Sequence, residues 1–291
     1  MSAAAPLISV LIPTYKPNPA FLREAIDSIL AQTESDFELL LLDDSPSDPA
    51  VREVVESYTD PRIRFIDDGV NRGISGARNR LLEEARGEFV AIMDHDDVSF
   101  PERFRKQVDY LRTHPEVGVV GCLMERSNDG KFFNYPEKNG DIRLAFMYDC
   151  AVPHTGTMLR RSLLTKYGVK YDPIYSPAED YALFSSLLPY TSFYNIPEPL
   201  VRYRLYPENT SKTQRQLMWR SAALVRAKAQ TVDPLARRQY RAIATQVTRV
   251  KLFGCLTILG IVTDLHITKV KLFNLIPILT IKRRRRIRGI Y

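Results

Sequence analysis

Residues 94–97 read Asp-His-Asp-Asp and follow directly on an apolar run, Phe89 to Met93. Three carboxylates at the end of a buried strand repel one another and lose hydration, so keeping them ionised is costly unless something compensates. Asp-x-Asp presents hard oxygens that suit Mg2+ or Mn2+, and the sequence has no His/Cys cluster with zinc spacing. Mg2+ commonly takes one or two protein carboxylates and fills its shell with phosphate oxygens, so a metal-bound diphosphate fits this arrangement. Taken alone, a solvated acidic turn would read the same way. Two further acid pairs share the pattern. Asp43-Asp44 closes "FELLLL", where the bland reading is a turn cap, and Glu179-Asp180 opens "EDYALFSSLL", where the helix dipole alone would favour acids.

These groups need a scaffold that gathers them. "LISVLIP" (7–13) reads as a buried strand and "PAFLREAIDSILAQT" (19–33) as an amphipathic helix. "FELLLLDD" (37–44) is a second strand, "AVREVVESYT" a helix, "RIRFIDD" (62–68) a strand, "GARNRLLEEAR" (76–86) a helix and "EFVAIMD" (88–94) a fourth strand. This alternation predicts an α/β fold, a mostly parallel sheet covered by helices, with ligands outside the carboxyl ends of the strands. Strands 1, 2 and 4 end at Pro13-Thr14-Tyr15, at Asp43-Asp44 and at Asp94, so all three sets are expected on one edge. Beyond Pro101 come a helix (103–114), a strand (117–125), and a stretch rich in Pro and Tyr to residue 210.

A chain of 291 residues, 45% hydrophobic, can bury one large core, and whole-chain disorder is excluded. Three scattered cysteines make no disulfide framework, which favours a reducing, cytoplasmic setting. No signal-peptide pattern and no transmembrane-length apolar run is expected. The net charge of +7 conceals a division: residues 212–291 hold 18 Lys/Arg and two acids, whereas residues 1–211 hold 23 Lys/Arg and 32 acids. We therefore expect a body over 1–211 and a helical, basic region over 212–291 that meets a different partner.

Five motifs occur in a fixed order: "PTYK", "LLLLDDSPSD", "NRGISGARNRLL", "IMDHDDVSFPERF" and "SPAEDYALF". Over residues 7–211 this order resembles the family 2 glycosyltransferases, inverting enzymes of the Rossmann-like GT-A fold that use nucleotide-diphosphate sugars. The resemblance implies that Pro13, Thr14 and Tyr15 line the base-and-ribose pocket and that Asp44 accepts a hydrogen bond from the base. A carboxylate facing an imide N–H reads uracil or thymine, so a UDP-sugar is the favoured donor. It places Gly73 and Gly76 where backbone approaches the donor, and Arg78 near its phosphates. Asp96 becomes the main ligand of Mn2+ or Mg2+, Asp94 approaches the ribose or the metal, Asp97 orients the loop, and His95 is a bystander. Asp180 matches the catalytic base, with Glu179 and His154 on the acceptor side. One departure stands out: many members carry Tyr-Arg-x-His after the base, but this chain reads Tyr203-Arg204-Leu205-Tyr206, putting a phenol where an imidazole is common.

The basic region contains a near repeat, "TRVKLFGCLTIL" (248–259) and "TKVKLFNLIPIL" (268–279), followed by "KRRRRIR". Short apolar segments flanked by Lys/Arg predict docking of 248–291 on an anionic membrane surface. No nucleic-acid recognition motif is present, and no nucleic-acid partner is expected. The acceptor expected from the resemblance is a saccharide or a lipid-linked sugar in surface polysaccharide synthesis, with the protein peripheral on the inner face of the cell membrane. Two other classes remain open. A sugar nucleotidyltransferase shares the sheet and the acids but would carry a Gly-rich loop after strand 1. A membrane or nucleic-acid adaptor explains the basic region but not the motifs.

Overall fold

The computed structural model of the chain describes residues 5–209, 213–245, 250–252 and 256–258. The first half alternates strand and helix as its apolar spacing predicts: β1 (Ile8–Thr14), α1 (Pro19–Leu30), β2 (Phe37–Asp43), α2 (Ala50–Glu56), β3 (Ile63–Ile66), α3 (Gly73–Glu84) and β4 (Phe89–Ile92). Then come β5 (Val98–Ser99), α4 (Arg103–Thr113), β6 (Val117–Arg126), β7 (Phe132–Phe133), α5 (Asn139–Ala145), β8 (Met158–Arg160) and α6 (Arg161–Tyr167). A 3-10 turn (Pro173–Tyr175) leads into α7 (Glu179–Leu187), β9 (Ser192–Tyr203), α8 (Arg215–Val232) and α9 (Pro234–Thr245). β10 (Val250–Leu252) and β11 (Leu256–Ile258) pair antiparallel, apart from the main sheet. Most of the repeat and the polybasic run lie outside the described residues.

The main sheet runs β3-β2-β1-β4-β8-β6-β9-β5, with β7 beside β6. β3, β2, β1 and β4 are mutually parallel, as the alternation predicts. β8 then enters antiparallel between β4 and β6, while β6 and β9 are parallel to each other. The sheet is therefore mixed beyond β4, a feature that three-residue β8 is too short to announce by periodicity.

Strand alternation divides "LLLL" between two cores. Leu39 and Leu41 pack with Leu22 and Ile26 of α1, Val54 of α2 and Phe104 of α4, whereas Leu40 and Leu42 pack with Ala77 and Leu81 of α3. Because both faces are covered, the strands read as continuous apolar runs. At the opposite end of β2 from Asp43, Glu38 is buried and fully partnered. Its carboxylate accepts from Ser9 Oγ at 2.6 Å, Arg64 Nη1 at 2.6 Å, Arg86 Nη2 at 2.7 Å and the Arg86 backbone N–H at 2.9 Å. Burial pushes its pKa up, but these bonds outweigh burial and hold it below the ordinary value.

The change of charge at residue 212 does not coincide with an end of packing. Val225 and Ala229 of α8 are buried in the same core as Phe184 and Leu187 of α7. Asp233, between α8 and α9, is buried and ion-paired with Arg143 at 2.6 Å. Among the described residues, no helix is long and apolar enough to cross a membrane.

Candidate active site

The parallel register places the strand ends side by side: Thr14 lies opposite Asp43, and Leu11 lies opposite Ile92. Thr14 Oγ1 donates to the Leu42 carbonyl at 2.7 Å, and the Asp44 N–H donates to the Thr14 carbonyl at 2.8 Å. These bonds lock the β1 and β2 ends together and leave Tyr15 projecting at the mouth, 51% exposed. Asp43 turns inward and accepts from the N–H and the Oγ of Ser45, the turn-cap role allowed by its sequence. Asp44 is buried, and its carboxylate accepts from the Arg72 N–H at 2.5 Å. Burial raises its pKa and Asp43 adds to the rise, against the Arg72 and Gly73 amides. Gly73 has φ +64°, a left-handed conformation that suits glycine, and it starts α3 three residues before the expected boundary. At Gly76 a Cβ would stand 2.7 Å from Arg72 Cβ, so its small size keeps this turn tight.

After β4 the three acids separate by environment. Asp94 Oδ1 lies 3.1 Å from Arg78 Nη2 and 3.8 Å from His154 Nδ1. Burial pushes Asp94 up, but His154 and the Arg78 guanidinium outweigh it, and the carboxyl sits well below the usual range. Asp96 is pushed above its ordinary pKa by burial, with Asp94 adding to the rise. Its Oδ2 accepts from the Tyr206 hydroxyl at 2.6 Å. Asp97 is fully buried and pushed well above the ordinary value, by burial first and then by Asp96 and Asp94. One of its oxygens accepts from the Arg204 N–H at 2.8 Å, and Oδ2 finds no hydrogen-bond partner. Arg204 Nε also donates to the Asp96 carbonyl at 2.8 Å, so the segment after β9 holds the acidic loop in place. His95, expected as a bystander, has Nδ1 at 3.3 Å from the Pro13 carbonyl and ties this loop to β1.

The acceptor-side acids stand at the start of α7. Glu179 is buried and receives Arg78 Nη1 at 2.6 Å, while its Oε2 is without a partner. Arg78 therefore bridges Glu179 to Asp94. Its charge is already met by two carboxylates, which makes it a link between two acid sets more than a free phosphate ligand. Asp180 is partly exposed and accepts from the adjacent Tyr181 N–H at 2.7 Å. Burial raises its pKa, and Glu179 adds to this while His154 and Arg78 oppose it. His154 Nε2 meets the Tyr171 hydroxyl at 3.0 Å, and Arg78 lies 5.5 Å from the Tyr171 ring centroid.

Every residue singled out for chemistry thus falls on one edge of the sheet, and Arg78, Asp94, His154, Glu179 and Asp180 form one network. Tyr171, Arg204 and Arg103 were not foreseen as parts of it. Arg103, in "PERF", is fully buried and donates to the Ile92 and Thr157 carbonyls at 2.9 and 3.3 Å, bracing β4 from below. Burial pushes its pKa down to about 10. The sole sequence signal for these residues was their nearness to quoted motifs.

The donor chemistry suits a divalent cation shared with a ligand. Asp96 keeps one oxygen clear of Tyr206, and a positive charge there would relieve the acids that burial and mutual repulsion disfavour. Among the described residues, no group of three or more His, Cys, Asp or Glu side chains is arranged to hold a metal by itself. Such a cation would need phosphate oxygens to complete its shell.

The profile of glycosyl transferase family 2 matches residues 9–171. This chain belongs to that family. An uncharacterized glycosyltransferase of Methanocaldococcus jannaschii is 31% identical over 209 residues, covering 69% of this chain and 71% of that protein. The Escherichia coli UDP-Glc:alpha-D-GlcNAc-diphosphoundecaprenol beta-1,3-glucosyltransferase is 29% identical over 185 residues, 62% of this chain and 70% of its own. Among solved structures, Staphylococcus aureus TarS residues 1–349 with UDP superposes with a TM-score of 0.59 at 19% identity, covering 83% of this chain and 75% of TarS. A Pyrobaculum calidifontis mannosyltransferase with GDP-Man and Mn2+ gives 0.55 at 19% identity, covering 84% and 77%. The fold is GT-A, and the protein is a family 2 glycosyltransferase.

Proposed function

We propose that this glycosyltransferase transfers the sugar of a UDP-sugar, with inversion, to a saccharide or lipid-linked acceptor at the inner face of the cell membrane. The observation that carries the reading is the Glu179–Arg78–Asp94 bridge, which fixes the start of α7, and with it Asp180, against the donor edge. Thr14 and Tyr15 flank the nucleoside, and Asp44 accepts from the imide N–H of its base. Asp180 takes the proton of the acceptor hydroxyl as that oxygen bonds to the anomeric carbon. The bond from that carbon to the diphosphate breaks, and the nucleoside diphosphate departs with the electron pair. A raised pKa suits Asp180 to this work, because it makes the carboxylate a better base. Mn2+ or Mg2+, held by Asp96 and Asp94, would supply positive charge to the diphosphate.

UDP beside TarS, UDP-Glc and a diphosphoundecaprenol acceptor in the E. coli relative's name, and Mn2+ beside the mannosyltransferase support the donor, acceptor and metal. The mannosyltransferase carries GDP-Man, so guanine donors belong in the test. Thermal unfolding is followed with UDP-, dTDP- and GDP-sugars, each with and without Mn2+. A ligand at 100 times its dissociation constant adds about 2.7 kcal/mol, a shift of several degrees for a chain of this size. A Mn2+-dependent shift with one UDP-sugar is expected. A shift confined to GDP-sugars, or none with any UDP- or dTDP-compound, would overturn the roles of Asp44 and Asp96.

A further inference from the structure

Tyr206 stands at the carboxylate assigned to the cation, and its chemistry there is that of a donor. Its hydroxyl donates to Asp96 Oδ2 at 2.6 Å. A phenol titrates near a pH of about 10, so at neutral pH it is an uncharged donor and a weak ligand for a hard dication.

The pose is held from several sides. The Tyr206 N–H donates to Asn209 Oδ1 at 2.7 Å, and the buried Asn209 donates from Nδ2 to the Arg204 carbonyl at 3.2 Å. Phe21 of α1 lies against the Tyr206 ring, with centroids 5.7 Å apart. The Arg204 guanidinium sits 4.0 Å over the Phe21 ring and pairs with Glu24, also on α1. Arg204 Nε donates to the Asp96 carbonyl as well. One short strap, anchored on α1, thus grips Asp96 by both its backbone and its carboxylate. A side chain locked in this way makes its bond at little further cost in freedom.

The bond changes how Asp96 can meet a cation. A carboxylate ligates through one oxygen or through both. Oδ2 commits a lone pair and electron density to the phenol, which disfavours chelation by both oxygens and leaves Oδ1. Mg2+ demands a near-octahedral shell, which single carboxylate oxygens, waters and phosphate oxygens fill. Ca2+ is larger, takes about six to eight oxygens, and readily uses both oxygens of one carboxylate. We propose that Tyr206 sets the cation preference of the site: by holding Asp96 as a one-oxygen ligand, it favours Mg2+ and Mn2+ and disfavours Ca2+. The phenol acts through Asp96, as a positioning residue. This inference rests on the reading of Asp96 as a cation ligand and adds which ions are admitted, and by which residue.

Free Mn2+ is followed by its electron paramagnetic resonance signal in solutions of the full chain with UDP or with GDP, against the nucleotide alone. Mg2+ or Ca2+ is then added as competitor. The wild type should bind Mn2+ in a nucleotide-dependent way and release it to Mg2+ at lower concentration than to Ca2+. Tyr206→Phe keeps the ring beside Phe21 and removes only the hydroxyl, so its melting temperature should stay near the parent's. Its Mn2+ affinity should fall by about tenfold or more, the usual result of removing a partner from a ligating carboxylate. Ca2+ should also gain on Mg2+ as competitor in the variant. Equal competition by Ca2+ and Mg2+ in the wild type would overturn the proposal, and that comparison needs no variant. An unchanged ratio of the two in folded Tyr206→Phe would overturn it too. Both results leave Asp96 as a cation ligand, whereas a wild type without nucleotide-dependent Mn2+ binding would overturn both readings.

Discussion

Glu38 and Asp97 are both buried carboxylates at opposite ends of parallel strands in one mixed sheet, and their surroundings are opposite. Glu38, at the amino end of β2, is met by a serine, two arginines and a backbone N–H, and its pKa is held down. Asp97, just past the carboxyl end of β4, has two acidic neighbours that, with burial, outweigh the Arg204 N–H and the Thr155 side chain, so its pKa is pushed well up, and its Oδ2 is buried without a hydrogen-bond partner. One edge satisfies its charge for stability. The other leaves charge unresolved, which is tolerable where a ligand or cation completes the set. The contrast separates structural acids from chemical ones more sharply than burial does, since both groups are buried.

The largest effect expected from this contrast is on turnover. Asp180→Asn should lower transfer by about 10²- to 10⁴-fold, the range for a general base, while keeping both the melting temperature and the donor-induced shift. An acid limb of the wild-type pH–rate profile lying above the ordinary carboxyl value of 3.8 would accord with the raised pKa of Asp180. Unchanged transfer in the variant would remove Asp180 as the base.

Next is the structural edge. Glu38→Gln leaves Arg64 and Arg86 without their countercharge and should cost about 3 kcal/mol in denaturant unfolding, at the low end for a buried pair because Arg86 is half-exposed. The sign with pH follows from the depressed pKa. The contribution of Glu38 is fully present above its unfolded value of about 4.5 and is lost as pH falls through the lower folded value. The variant's deficit should therefore shrink on acidification below about pH 4.5. A deficit that is constant with pH would mean packing, not charge, is what the substitution removes.

The smallest effect, and the most telling for the comparison, has the opposite direction. Asp97→Asn removes a charge that the fold disfavours at neutral pH. Stability should stay level or rise by about 1 kcal/mol, as is common when active-site strain is released, while transfer falls. A raised folded pKa means that the native contribution of Asp97 is greatest in acid and is lost as pH rises through that value, so any gain should vanish at low pH. A destabilised Asp97→Asn would place this residue with Glu38 after all.

The parallel half of the fold was legible because each strand there is a long apolar run and each helix has a clear apolar face; "FELLLLDD" could hardly be anything else. The far half was not. β8 has three residues, β5 and β7 two each, and such lengths carry no period. β9 runs twelve residues but contains two prolines, which its sequence alone reads as interruptions. In the site, Asp44, Asp96 and Asp180 were legible as acids at element ends. Their supporting partners were not, because Tyr206 reaches Asp96 from 110 positions away and Arg78 reaches Glu179 from 101. Tyr206, flagged as a departure from the family pattern, donates to Asp96, a contact its sequence did not announce. Its phenol is pushed above its ordinary pKa by burial and by Asp96, so it keeps its proton and acts as a donor.

The placement of β8 has a consequence for biosynthesis. β4 is an interior strand, yet its second neighbour is supplied by Met158–Arg160, more than sixty residues after Ile92. At about 5–20 residues per second, several seconds of translation separate the two, and throughout them the nascent chain presents an apolar strand with an open edge. A fragment that stops after the Asp-His-Asp-Asp loop holds every expected nucleotide contact and still lacks the strand that closes β4. The half that carries the expected donor contacts is contiguous in sequence, yet cut after residue 97 it would present the open edge of β4 to solvent.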